Sequence, residues 1–124
     1  LKLVLNNREP IYLQVVIYFK QRIAIGELVA GEEIPSRREL AVLLNINPNT
    51  VQKAYKEMED QELIETERNF PSRITKDEVV LQQVRKELIK EATVQFVETM
   101  KRIAVTEDEM MQSVREVYKT GELK

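Results

Sequence analysis

The side chains best placed to do chemistry in this chain are hydrogen-bonding groups gathered at the start of a helix. Asn47, Asn49, Thr50, Gln52 and Lys53 fall within seven residues, around Pro48. Asn and Gln can make paired hydrogen bonds to the edge of adenine. Thr can meet a thymine methyl group or a phosphate, and Lys can reach guanine or a phosphate. Asn47 precedes a proline at a first helical position, so it also reads as a helix cap. A second cluster is Ser36-Arg37-Arg38-Glu39, in which Ser36 and Glu39 have capping-box spacing. Arginines at a helix N-terminus oppose its dipole, so two of them there ask for an anionic partner such as a phosphate. Arg68 and Arg73 flank a third candidate, a loop able to touch phosphates or enter a minor groove. They read equally well as surface charges beside Glu65 and Glu67.

Composition removes competing chemistries. The chain has 124 residues, with no cysteine and no histidine. That excludes disulfides, thiol nucleophiles, Cys/His zinc sites and imidazole acid–base catalysis. Carboxylate-only metal sites remain open to such a chain, but no Asp/Glu cluster has calcium-loop spacing; no catalytic residue, metal or cofactor is expected. No apolar run approaches a membrane span, and the first residues lack the apolar core of a signal peptide. The expectation is a cytoplasmic protein with no membrane partner. Charge points away from nucleic acid: 19 Lys/Arg against 21 Asp/Glu leave a net −2. A DNA-binding surface must therefore come from where the charges sit, not from their sum.

Five helices and a short β wing are needed to position these residues. Leu1, Leu3 and Leu5 alternate as in a short strand or an extended arm. From Pro10 a helix carries Tyr12, Val15, Val16, Phe19, Ile23 and Ala24 on one face, with Gln14, Lys20, Gln21 and Arg22 largely elsewhere, and ends at Gly26. A second helix starts at Ser36, turns Leu40, Ala41, Leu43 and Leu44 inward and stops near Asn45. A third runs from Asn47 to about Gln61, burying Val51, Ala54, Tyr55 and Met58. Helices two and three are so close in sequence that they have helix-turn-helix spacing. Leu63, Ile64 and Thr66 then read as one strand and Arg73-Ile74 as its return. Thr75 with Glu78 predicts a capping box and a long fourth helix, with a stripe from Val80, Leu81 and Val84 through Leu88, Ala92, Phe96, Val97 and Met100 to Ile103. Thr106 with Glu109 opens a fifth, bearing Met110, Met111, Val114, Val117 and Tyr118. The fold class is mainly α with a small β wing. Residues 1–75 form a winged helix-turn-helix domain, and 76–124 a helical dimerisation tail.

From Pro10 to Ile64 the chain closely resembles the GntR family of bacterial regulators, in its short YtrA-type branch. The resemblance rests on Pro10-Ile11-Tyr12-Leu13-Gln14, Gly26-Glu27-Leu28, Gly31 and Ile34-Pro35-Ser36. Arg38-Glu39-Leu40-Ala41 and Asn47-Pro48-Asn49-Thr50-Val51 with Ala54-Tyr55 complete it. It implies a DNA-binding winged helix and a homodimer held by the tail helices, controlling transcription, usually by repression. It also implies that Arg38 grips the phosphate backbone while Asn49, Thr50, Gln52 and Lys53 face the groove. A two-fold dimer reads an inverted-repeat operator. The tail positions Val84, Leu88, Ala92, Phe96, Met100, Val114 and Val117 are the expected dimer contacts. A wide stripe suits packing against both a fifth helix and a partner subunit. Met100, Met110 and Met111 could also line a pocket for a small effector.

Two departures from the family pattern stand out. The wing reads Glu67-Arg68-Asn69-Phe70-Pro71-Ser72-Arg73, without the family's tip glycines and with fewer basic residues. It is expected to contribute less than the family pattern implies. Glu62 stands where the family commonly has glycine after helix three. With the acidic balance, the degenerate wing leaves a second reading: a winged-helix protein-interaction module without DNA binding.

Overall fold

The computed structural model describes residues 3–123. Helix α1 spans Ile11–Ala24, α2 Arg37–Leu44, α3 Pro48–Asp60, α4 Glu78–Lys101 and α5 Glu107–Thr120. Strands β1 (Ile64–Glu65) and β2 (Arg73–Ile74) pair antiparallel with Ile64 opposite Ile74 and Glu65 opposite Arg73. This is the mainly helical fold with a small wing that the sequence predicts. Thr66 falls just outside β1. Its hydroxyl instead meets that of Ser72 at 2.7 Å across the base of the wing. The connector before α2 joins the rim of the sheet: Ile74 N donates to Glu32 O (2.8 Å) and Ile34 N to Ser72 O (3.0 Å).

The chain divides into a compact head up to Leu88 and a tail from Ile89 onward. This boundary lies beyond the expected one at residue 75, because the first turns of α4 belong to the head. Val84 is 2% exposed within the head core, with Val80, Leu81 and Leu88 packed against that core. Val84 was expected among the dimer contacts. A side chain buried in its own head has no surface left for a partner.

The head core is built where three helical stripes converge. Val15, Val16 and Phe19 of α1, Leu40 of α2, and Val51, Ala54, Tyr55 and Met58 of α3 are all buried. Burying the valine, leucine, phenylalanine and methionine side chains among them is worth roughly 1.5–3 kcal/mol each before the entropy cost. Phe19 sits edge-on to both Tyr18 and Tyr55, at 6.0 and 6.3 Å between ring centres. Leu43 does not join them: it is exposed, as is Val42, because the short α2 turns only Leu40, Ala41 and part of Leu44 inward.

Gln14 and Lys20, expected on outward faces, are buried. Gln14 earns its place as a clamp. Its amide donates to Asn6 O (2.8 Å) and Glu9 O (2.9 Å) and accepts from Asn6 N (3.0 Å). That clamp holds the N-terminal segment as an arm. Leu3 packs against the core, but Leu3 and Leu5 lie in no strand, and Leu1 lies outside the described residues.

Local signals set most helix ends. Ser36 Oγ accepts from Glu39 N at 3.1 Å while Glu39 Oε1 accepts from Ser36 N at 3.2 Å, and Thr106 with Glu109 repeats the arrangement for α5. The start of α4 is different. Asp77 rather than Thr75 caps it, accepting from Val79 N at 2.9 Å, while Thr75 Oγ1 accepts from Asp77 N one step earlier.

Helix α3 ends in a Schellman motif, with Leu63 N donating to Met58 O and Glu62 N to Glu59 O, both at 2.9 Å. The residue inside that turn must be left-handed, and Glu62 has φ +61°. A side chain there costs about 1–2 kcal/mol, which glycine avoids, although glycine also gains freedom in the unfolded chain. Glu62→Gly is therefore expected to stabilise the head by about 0.5–1 kcal/mol, read as a melting temperature several degrees higher.

In the tail, the second half of α4 faces α5 across an open apolar hollow of about 780 Å³, lined by Phe96, Val97, Val105, Met110 and Val114 among others. Among the described residues of the tail only Met110 is buried. Ile103, Met111, Val114, Val117 and Tyr118 are exposed. The predicted stripe is present, but the described tail leaves much of it uncovered.

Candidate nucleic-acid interface

Helix α3 has two sharply different faces. Val51, Ala54, Tyr55 and Met58 are buried, whereas Asn47, Asn49, Gln52 and Lys53 are exposed and Thr50 is half-buried. The turn that sets α3 beside α2 is made by Asn45, a residue tolerant of the left-handed conformation, at φ +53°. Asn47 caps α3 as expected, its Oδ1 accepting from Asn49 N at 2.8 Å. Asn49 therefore spends its backbone on the cap while its side chain stays outward. From Pro48 to Lys56 the helix contains no acidic residue. Its leading turns present amide, hydroxyl and ammonium groups with no negative charge among them.

The two arginines at the start of α2 have different surroundings. The Arg37 guanidinium pairs with Glu59 at 2.5 Å and lies 5.0 Å from the centre of the Tyr55 ring. Arg38 is exposed and, among the described residues, has no ion-pair partner. Arg37 thus ties α2 to α3, while Arg38 projects from the helix N-terminus beside the capping Ser36. In the wing, Arg73 is drawn back to Glu33 (3.7 Å) and Gly31 O (3.1 Å), leaving Arg68 as the exposed cation near the tip.

This distribution answers the objection from net charge. Arg22, Arg37, Lys56 and Arg73 are each paired with a carboxylate. Arg38, Lys53 and Arg68 are not, and they stand at the start of α2, on the outer face of α3 and in the wing. A head with an acidic sum thereby keeps cations at the places a duplex would approach.

Two contacts were not legible in the sequence. Lys53 Nζ lies 4.2 Å from the centre of the Tyr12 ring, which holds the ammonium by cation–π attraction. Tyr12 reads simply as a core residue of α1. Lys56 extends the exposed face of α3 by a turn, and its partner Asp60 (2.6 Å) raises its pKa above the ordinary lysine value.

A helix-turn-helix with an outward polar recognition face, followed by a two-stranded wing, is the DNA-binding head of a transcription regulator. Residues 11–74, just over half the chain, match the profile of bacterial regulatory proteins of the gntR family. The HTH-type transcriptional regulator YhcF of Bacillus subtilis is 33% identical over 116 residues, spanning 94% of this chain and 96% of that protein. The chain belongs to the gntR family of bacterial transcription regulators. The transcriptional repressor YtrA of the same organism is 37% identical over 93 residues, 74% of this chain and 72% of YtrA, which agrees with the YtrA-type branch. A GntR family regulator from Listeria monocytogenes superposes with a TM-score of 0.85 at 33% identity, covering 91% of this chain and 99% of that one. The family and these relatives are regulators, not enzymes. No helix among the described residues is long and apolar enough to cross a membrane.

Proposed function

We propose that the protein represses transcription in the cytoplasm by binding an inverted-repeat operator as a homodimer. The observation that carries this reading is the outward face of α3: Asn49, Gln52 and Lys53 are exposed in a stretch, Pro48 to Lys56, that holds no acidic residue, while the opposite face is sealed into the core. Asn49, Thr50, Gln52 and Lys53 read base edges from the major groove. Asn47 sets the helix end, and Ser36, Arg38 and the α2 N-terminus hold a phosphate. Arg37 acts at one remove, fixing α2 against α3. The YtrA relative is named a repressor, which supports repression here.

Homodimerisation is supported by the tail's apolar residues. With Met110 alone buried among the described tail residues, the segment gains little from packing on itself. A second copy seated on Ala92, Phe96, Met100, Val114 and Val117 would supply the missing cover, with Leu88, already half-buried against the head core, at its edge. The hollow beside α5 reads better as part of that seam than as an effector pocket, because Ala92, Phe96 and Val114 of the expected seam line it.

The test is selection of duplexes from a random pool by the full chain at moderate salt. The expected product is an inverted repeat whose half-sites lie one helical turn, or a multiple of it, apart. A single unrepeated site would overturn the symmetric dimer. No enrichment would favour the protein-interaction module.

A further inference from the structure

We propose that Phe70, at the tip of the wing, is an apolar wedge that enters the minor groove and unstacks a flexible base step. This rests on the reading of the head as DNA-binding, and adds a contact that the cationic candidates do not supply. Phe70 is 66% exposed and is followed by Pro71, so the tip ends in two apolar residues turned to water. The turn beneath it is closed: Phe70 N donates to Glu67 O at 3.0 Å, with Asn69 left-handed at φ +69°. The legs are braced as well. Ser72 is buried, its hydroxyl meets that of Thr66, and its carbonyl accepts from Ile34 N. The wing is also anchored to α3, since Leu63 N donates to Met58 O.

Charge leaves the tip little means of gripping a duplex. Arg73 is held by Glu33 and Gly31, which leaves Arg68 as the one wing arginine without an ion-pair partner among the described residues and the tip with a single cationic grip on phosphate. Phe and Pro are among the side chains that proteins insert between base pairs, spending unstacking energy to bend the duplex toward a larger contact. Pyrimidine–purine steps, TA and CA/TG, yield most easily to such a wedge, whereas A-tracts are stiff. Phe70 therefore makes the protein selective at a step where it forms no hydrogen bond to a base.

The experiment uses the full chain and the duplex recovered by selection, with 2-aminopurine placed singly along the flanks of each half-site. The expected result is a several-fold fluorescence rise at one step per half-site. Phe70→Ala should abolish that rise and weaken binding about tenfold, while Phe70→Leu, which keeps an apolar wedge, retains most of both. Replacing the step by a stiff A-tract should weaken the unaltered protein by a similar factor and leave Phe70→Ala unaffected. Tight binding without any rise, or a rise that survives Phe70→Ala, overturns the wedge and leaves DNA binding intact. Failure to bind any duplex overturns both. The ring is exposed, so neither substitution opens a hole in the core.

Discussion

Tyr55→Ala is expected to cost the head about 3–5 kcal/mol, a large share of the roughly 5–15 kcal/mol that stabilises a whole domain. The side chain is fully buried, edge-on to Phe19, with the Arg37 guanidinium over its ring and its hydroxyl donating to Pro35 O. Truncation leaves a cavity, an unpaired carbonyl and a loosened Arg37 at the point where α2 is fixed against α3. Tyr55→Phe separates these effects. It keeps the ring and loses the hydrogen bond, so about 1–2 kcal/mol should go.

Burial, the largest influence, pushes the Tyr55 hydroxyl well above the ordinary phenol pKa of 10.0; Arg37 acts to lower it and Glu39 to raise it. The folded state thus keeps a proton that the unfolded chain releases. The Tyr55 contribution is complete below pH 10.0 and declines as pH rises past it. Urea titrations at neutral and alkaline pH should show that decline in the unaltered protein and a smaller one in Tyr55→Phe.

Arg38→Ala should leave stability nearly untouched and weaken DNA binding by about tenfold for each head engaged. Arg38 is exposed and, among the described residues, has no ion-pair partner to lose. Its proposed contact is a phosphate, which carries no sequence information, so the loss should be the same for preferred and scrambled duplexes. A plot of log affinity against log salt should become shallower by about one unit per head. Arg37→Ala next to it should behave in the opposite way. Losing the Glu59 pair and the Tyr55 contact destabilises the head, with DNA binding falling only as far as folding does.

The elements were legible wherever a local signal fixes the backbone. The Ser36–Glu39 box, Asn47-Pro48 and the Thr106–Glu109 box each start a helix with groups within three residues of one another, and all three hold in the structure. Where two local signals compete, sequence does not choose between them: Thr75 and Asp77 both suit a cap, and Asp77 takes it because Thr75 is engaged by Glu65 and by the Asp77 amide. Periodicity found the faces of α1 and α3 but not the limits of burial. Val84 belongs to the head because the helix continues past the wing into the core. Gln14 is buried because the arm just before α1 takes up its amide. At the candidate site the polar face of α3 was legible because its neighbours on the helix are apolar. The division between Arg37 and Arg38 was not, since it depends on Glu59, 22 residues away from Arg37.

The central claim is that the outer face of α3 reads bases, and the most direct measurement of it is to repeat the duplex selection with Gln52→Ala. The expected product is the same inverted repeat with preference relaxed at one base pair in each half-site, a discrimination worth about 1–3 kcal/mol. A selected sequence unchanged at every position would contradict it.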